Sequence, residues 1–360
     1  MHATVSIILL NYNGLRFNKD CIDSILEQSY PSYEIIFVDN ASSDNSLAQV
    51  QQEYAHHIQG GIIKIIVNPY NDGFAQGNNI GVSHASQDSK YICLLNNDTI
   101  VDKDRLQELV TCIESRPELG AVGSLILDKG YEDQTKDIFF HQKKVGHNNY
   151  VMEPVFKNIS QEEIDNNLIH TTGLGGCSVL YKKTLMTEPF PAFYFAYGED
   201  TYLSFCILLQ GYKLGICTTS IVQHFGSGSF GKKVSLLKAF HGAKNQLINI
   251  FLFHSTTNAI KLFPIYLLYQ GVKIASGSRQ TRLKGLYKGL VWCIKHRTQI
   301  QAQKKIVQST QTISYRSFIN QLSRTTFENT YFLQIPQYQI RTMKLLNKLC
   351  KVYFTLLSIK

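Results

Sequence analysis

Two acidic residues stand at the ends of apolar runs, where a strand would end and a ligand would begin. Phe37-Val38-Asp39-Asn40 places one carboxylate there, and Leu94-Leu95-Asn96-Asn97-Asp98-Thr99 places a second. A carboxylate at a strand tip can hydrogen-bond a ribose. It can also bridge to a diphosphate through Mg2+ or Mn2+, which commonly takes one or two carboxylates plus phosphate oxygens. Asn-Asn-Asp is equally ordinary turn chemistry, so the tripeptide alone does not choose between the two. The first apolar run, Ser6 to Leu10, ends in Asn11-Tyr12-Asn13, whose amides suit a base and a ribose. Ser43 and Asp44 read best as caps for the following helix.

A second acidic group is Tyr197-Gly198-Glu199-Asp200, which opens a helix running through Leu203, Cys206 and Ile207. Two acids at a helix N-terminus are commonly capping groups. The sharper reading is a general base that takes a proton from an acceptor hydroxyl. Next comes Gln223-His224-Phe225, a histidine after a short strand and before the glycine-rich stretch Gly226-Ser227-Gly228-Ser229. A lone histidine is more often structural than a ligand, and only its place in the order of these segments raises its interest.

The elements that must position these groups follow from periodicity. Val5–Leu10, Glu34–Asp39, Ile62–Val67, Tyr91–Leu95 and Ala121–Leu127 are β-branched runs separated by stretches of helical length. Such alternation predicts an α/β fold with a parallel sheet wrapped by helices, and ligands then sit at the carboxyl ends of the strands. From Asp128 to His170 the periodicity fails, which reads as a loop or hairpin insertion without assignable chemistry. Asn158-Ile159-Ser160 within it is read as a chance sequon. After Gly231 the pattern is helical and basic. Leu283, Leu286, Tyr287, Leu290 and Ile294 form one apolar face, with Lys284, Lys288 and Lys295 opposite.

Charge divides the 360 residues in the same place. Residues 1–230 hold 15 Lys and Arg against 26 Asp and Glu, a net of −11, whereas residues 231–360 hold 21 against 1, a net of +20. An acidic body joined to a basic tail predicts two regions, 1–230 for substrate or metal and 231–360 for a polyanionic surface. Basic residues alternating with apolar faces that carry Tyr287 and Trp292 favour an anionic membrane over nucleic acid. The eight cysteines include no CxxC pair, which suggests reduced core thiols and a cytoplasmic setting. No run reaches the roughly 18 apolar residues of a membrane span, and the N-terminus lacks the basic start of a secretory signal.

Taken in order, Ser6-to-Asn13, Val38-to-Asp44, Asn71-Asp72-Gly73-Phe74-Ala75-Gln76-Gly77-Asn78-Asn79, Leu95-to-Thr99 and Gly198-Glu199-Asp200 resemble the inverting family-2 glycosyltransferases, particularly their bacterial rhamnosyltransferase-like branch. The resemblance spans roughly residues 4–230, and Gly173-Leu174-Gly175-Gly176-Cys177 is similar to the family's segment beside the acceptor. It implies a GT-A fold, a Rossmann-like, mostly parallel sheet flanked by helices. It also implies a nucleotide-diphosphate sugar donor held by Asn11, Tyr12, Asn13, Asp39, Gly73, Asn78 and Asn97. Asp98 and His224 would hold Mg2+ or Mn2+, with Asp200 as base and Glu199 sharing that role. A lipid-linked glycan acceptor and a peripheral position on the inner face of the cell membrane complete the expectation. One departure is that Asn96 stands where the familiar metal motif has its first acid, leaving a single carboxylate. The stretch after strand one has neither the Arg- and Lys-containing glycine loop of a nucleotidyltransferase nor the GxGxxG of a dinucleotide oxidoreductase. The remaining alternative is a catalytically inactive nucleotide-sugar-binding scaffold.

Overall fold

The computed structural model describes residues 4–128, 144–152, 154–225, 234–275, 277–323 and 337–356. The stretch Gly226-Ser227-Gly228-Ser229 lies outside the described residues. The strands are β1 (Thr4–Asn11), β2 (Tyr33–Asn40), β3 (Ile63–Asn68), β4 (Ser89–Asn96), β5 (Thr99–Val101), β6 (Leu119–Asp128), β7 (Lys144–Asn148), β8 (Pro154–Asn158), β9 (Leu168–Thr171), β10 (Ser178–Lys182) and β11 (Lys213–His224). The helices that matter below are α1 (Asn18–Leu26), α2 (Ser46–Glu53), α3 (Ala55–Gln59), α4 (Gly73–Ser83), α5 (Arg105–Glu114), α6 (Gln161–Asp165), α7 (Glu199–Leu209) and α8 (Leu236–Phe253). They are followed by α9 (Thr256–Ala275), α10 (Arg279–Lys295), α11 (Arg297–Ser309), α12 (Tyr315–Ile319) and α13 (Gln337–Leu356).

One sheet runs in the order β3-β2-β1-β4-β10-β6-β11-β5, with β9 pairing β11. The first four strands are parallel, as the alternation predicts. In β1, Val5, Ile7, Ile8 and Leu9 are all fully buried, because helices cover both faces and the strand must be apolar on both. Ile7 and Leu9 join a core with Cys21, Ile22 and Leu106, while Ile8 joins the core on the opposite face. The sheet departs from all-parallel at β10, which is antiparallel to β4 and to β6. Strands β5 and β9 also run antiparallel, each against β11. The aperiodic region contains the antiparallel hairpin β7–β8, and the Ser160 hydroxyl of its formal sequon caps α6 by accepting the Glu163 N–H at 3.2 Å.

The charge boundary at residue 230 is not a boundary of the core. Leu247, Ile248, Leu262, Phe318 and Phe354 belong to the same buried cluster as Ile8, Ile36 and Val38. Helix α8 is buried almost all round from Ala243 to Phe253, as a helix inside a large core must be. Helix α10 meets it through a seam of small residues, Gly285, Gly289 and Cys293, spaced one turn apart. A β-carbon at Gly285 would lie 2.6 Å from that of Ala239, so the backbones approach too closely for any side chain. The apolar face expected on α10 is consequently divided, with Leu286 and Leu290 packed on the core and Leu283, Tyr287 and Ile294 exposed. Trp292 stacks on His296 at 4.0 Å and lies under the buried Lys244 ammonium, 4.5 Å away, so it faces inward. All eight cysteines are buried, and none is joined in a disulfide. Among the described residues no helix is long and apolar enough to cross a membrane.

Candidate active site

The tips of β1, β2 and β4 are joined by amides. The Asn11 side chain donates to Asp39 Oδ1 at 2.7 Å and to the Ser46 hydroxyl at 2.9 Å. Its own oxygen accepts from Asn18 at 2.9 Å and from Asn97 at 3.2 Å, and Asn97 donates further to Asn18 Oδ1 at 2.8 Å. The other Asp39 oxygen accepts the Ser42 N–H at 3.2 Å. Asn11 and Asn18 are fully buried and Asp39 is 2% exposed, so this network fixes the carboxylate at the sheet edge. A β-carbon at residue 14 would stand 2.2 Å from Asn97 Nδ2 and 2.3 Å from Asn11 Oδ1, so the network requires glycine there. Asn13, at φ 54°, accepts from the Ser43 N–H at 2.7 Å and ties the loop after β1 to the loop after β2. Tyr12 lies half-buried between Asn11 and Asn13. The N-cap of α2 is Asn45, not Ser43 or Asp44 as expected, although Asp44 accepts the Ser46 N–H at 3.0 Å just ahead of the helix.

A second amide network joins β2, β3 and α4. Asn68 donates to Asn40 Oδ1 at 2.8 Å, Asn40 donates to Asn71 Oδ1 at 3.0 Å, and Asn71 accepts the Gly73 N–H at 3.0 Å. Gly73 has φ 80°, and a β-carbon there would lie 2.4 Å from the Phe195 carbonyl oxygen, so the start of α4 abuts the segment leading to Glu199. Asn78 is buried and donates to the Phe74 carbonyl at 2.8 Å inside α4. Of the predicted donor-site residues, the structure thus gathers Asn11, Tyr12, Asn13, Asp39 and Asn97 at one edge. Gly73 sits at the neighbouring strand-to-helix junction, and the Asn78 amide donor is engaged within its own helix.

Asp98 and His224 meet. His224 Nε2 is 3.2 Å from Asp98 Oδ1, and the Phe225 N–H donates to the Asp98 carbonyl at 2.9 Å. The pairing of His224 with Thr99 across β11 and β5 sets this contact, a long-range register that spacing could not supply. A carboxylate oxygen and an imidazole nitrogen converging at this distance, both largely buried, fit two neighbouring positions around one divalent cation. Imidazole favours Mn2+ or another transition ion over Mg2+, which prefers oxygen. No group of three or more His, Cys, Asp and Glu residues assembles among the described residues, so phosphate oxygens and water would have to complete such a site.

Glu199 and Asp200 begin α7 after Tyr197 at φ 70° and Gly198 at φ 86°. Glu199 is 9% exposed, and its Oε2 is buried without a hydrogen-bond partner. Burial, reinforced by the neighbouring Asp200 charge, pushes its carboxyl up to about 8. Asp200 is half-buried and accepts the Thr201 N–H at 2.7 Å. A β-carbon at Gly176 would lie 3.9 Å from that of Asp200, and the adjacent Cys177 carbonyl accepts the Asn96 N–H at 2.9 Å. The small-residue segment before β10 therefore lies between the Glu199–Asp200 pair and the tip of β4.

Residues 6–184 match the sequence profile of glycosyl transferase family 2. This chain carries a family-2 glycosyltransferase domain. The domain is 32% identical over 143 residues to an uncharacterized glycosyltransferase of Haemophilus influenzae, covering 38% of this chain and 43% of that protein. It is 36% identical over 123 residues to the putative glycosyltransferase EpsE of Bacillus subtilis, covering 34% and 43%. These matches thus span less than half of either relative. A longer match, 27% identical over 205 residues and covering 57% of this chain and 69% of the relative, is to WfgD of Escherichia coli. WfgD is named a UDP-Glc:alpha-D-GlcNAc-diphosphoundecaprenol beta-1,3-glucosyltransferase. The fold is GT-A. The structure of GalNAc-T7 with UDP, GalNAc and Mn2+ superposes with a TM-score of 0.58 at 16% identity, covering 82% of this chain and 57% of that one. Residues 1–349 of Staphylococcus aureus TarS with UDP give 0.51 at 14% identity, covering 92% of each chain.

Several residues of the family-2 domain's edge were assigned no role from the sequence. Asn18 sits on the first turn of α1 and has no local signal, because its partners are 7 and 79 residues away. Asn40 and Asn68 end β2 and β3, and Asn71 lies in the loop between β3 and α4, where position alone could have singled them out.

Proposed function

We propose that this protein moves a sugar from a nucleotide-diphosphate donor to a hydroxyl of a lipid-linked glycan, by one inverting displacement, in cell-surface polysaccharide synthesis. The observation that carries the reading is that two acidic stations share one sheet edge. Asp98 and His224 stand on one side of the Gly176-Cys177 segment, and Glu199 and Asp200 on the other. Asp39, fixed by Asn11, would accept from the donor's ribose. Mn2+ bound by Asp98 and His224 would neutralise the departing diphosphate. Glu199 retains its proton near neutrality, which leaves Asp200 as the carboxylate to take a proton from the acceptor hydroxyl. The attacking oxygen approaches from the side opposite the diphosphate, so the anomeric centre inverts. Rhamnose, from the resemblance, is the first donor sugar to try.

A lipid-linked acceptor is supported by the printed activity of WfgD, and an anionic membrane surface by the outward face of α13. There Leu345, Leu349, Val352 and Leu356 are 55–76% exposed at spacings of four, three and four, beside Lys344, Lys348 and Lys351. Helix α13 is thus apolar on two sides, since Cys350 and Phe354 enter the core. That pattern supports a peripheral position on the inner face of the membrane.

The deciding experiment measures nucleotide release from a panel of nucleotide sugars, with and without Mn2+, using membrane extract or a purified lipid-linked acceptor. Metal-dependent release from one donor that falls by about 10^2 to 10^4 in Asp200→Asn supports the reading. Donor binding without turnover, with the purified acceptor present, would favour an inactive nucleotide-sugar-binding scaffold.

A further inference from the structure

The segment between Phe190 and Glu199 has no regular secondary structure, yet its backbone is held by side chains. Asn79 clasps Phe190 with both amide atoms, donating to its carbonyl at 2.6 Å and accepting its N–H at 3.1 Å. Further side-chain anchors among the described residues come from α8, which, like the segment itself, lies beyond the family-2 match. Lys244 donates to the Phe193 carbonyl at 2.7 Å, and Asn245 donates to the Ala196 and Tyr197 carbonyls at 3.0 and 2.7 Å. Asn249 donates to the Gly198 carbonyl at 2.9 Å and accepts from the Tyr194 hydroxyl. Lys244, Asn245 and Asn249 are each at most 2% exposed.

Two of the four carbonyls so held, those of Tyr197 and Gly198, belong to the consecutive left-handed residues that turn the chain into α7. A tyrosine at φ 70° is disfavoured for any L side chain, and such a conformation persists only where its surroundings over-determine it. Released, the turn would relax and swing the first residues of α7, which are Glu199 and Asp200.

We propose that Asn245 and Asn249 are positioning residues for the Glu199–Asp200 pair, so that a helix of the basic C-terminal region holds the part of the candidate catalytic edge that lies beyond the family-2 match. The assignment rests on the transferase reading above for what the pair does. The geometry of the clamp stands independently of it. Neither asparagine touches the donor edge, which is built from β1, β2 and β4.

The test uses the full chain and four variants, Asn245→Ala, Asn249→Ala, Asn249→Asp and Leu247→Ala. Asn249→Asp is isosteric and still accepts from Tyr194, but it cannot donate to Gly198. Leu247→Ala removes core contacts from the same helix and controls for lost stability. Hydrogen exchange should quicken in a peptide spanning residues 193–203 in all three asparagine variants, with β1 and β4 unchanged. The kcat should fall by about 10- to 100-fold, the scale of a misplacement of about 1 Å, with the donor KM within about twofold. Leu247→Ala should lower the melting temperature without that split. Unchanged exchange at 193–203, or an Asn249→Asp enzyme with wild-type kcat, overturns the proposal. If wild-type protein turns over no donor, the transferase reading fails instead, and the exchange arm still decides whether the clamp holds the turn.

Discussion

His224 Nε2 stands 3.2 Å from Asp98 Oδ1, although 125 residues separate the two in the chain. In the proposed metal site the contact would supply a nitrogen beside the single carboxylate. Changing His224 to alanine should weaken Mn2+ binding in the presence of the nucleotide about 10- to 100-fold, an effect of the size seen when groups supporting a metal are removed. Calorimetry or the paramagnetic signal of free Mn2+ would measure it. Identical Mn2+ affinity in wild type and variant would remove histidine from the site.

Gly14 has room for a hydrogen and nothing larger. Gly14→Ala should push Asn97 away from Asn11 and so disturb both Asp98, the next residue, and Asp39, which Asn11 holds. An overpacking cost of about 1–3 kcal/mol is expected, together with a donor KM raised about tenfold or more. Thermal unfolding and donor titration would be run side by side. A variant with wild-type donor binding would show that the amide network does not support the donor site.

The Glu199 carboxyl gives stability a pH signature. Below 4.5, the ordinary glutamate value, folded and unfolded chains both hold the proton. Between 4.5 and about 8 only the folded chain does, so stability falls as pH rises, and the loss is complete above about 8. Glu199→Gln should abolish this slope and gain stability relative to wild type at pH 8.5, by at most about 5 kcal/mol. Comparison with wild type is necessary because His241 and His254, both depressed to about 4 by burial, act in the opposite sense at low pH. Denaturant midpoints at pH 5.5 and 8.5 would measure the difference. Parallel curves for the two proteins would mean that Glu199 titrates normally.

The four parallel strands and their polar tips were legible in the sequence because period and chemistry coincide there. An apolar run such as Ser6 to Leu10 can only be buried, and whatever follows it must face the sheet edge. The reversed strand β10 was not legible, since Ser178–Lys182 reads the same in either direction and its orientation depends on where the chain re-enters the sheet. The contribution of α8 was hidden for another reason. Its asparagines look like surface residues of a basic helix, and only the tertiary fold shows that their partners are the carbonyls before Glu199.

Membrane attachment through α13 predicts that Leu345→Ser with Leu349→Ser reduces co-sedimentation with anionic vesicles. Each leucine should contribute about 1 kcal/mol or more at the interface, so the double change should cost on the order of tenfold or more in affinity. Lys348→Glu should weaken binding to anionic but not to neutral vesicles, by about 1 kcal/mol or more. Turnover of a soluble acceptor should stay as it was. Vesicle binding that survives all these changes would exclude this face as the attachment surface.

Because β10 runs against its neighbours, the chain enters it at the ligand edge and leaves at the far side. Gly175, Gly176 and Cys177 thus reach the β4 tip from a direction that no βα unit of the first half uses. The edge is therefore assembled from separately encoded pieces, one ending with β5, a second running from β9 to α7, and a third ending β11 with His224. On the proposed function, insertions or exchanges in the second piece would reshape the acceptor side while leaving Asn11, Asp39 and Asn97 in place. An edge so divided would let acceptor preference change independently of donor preference.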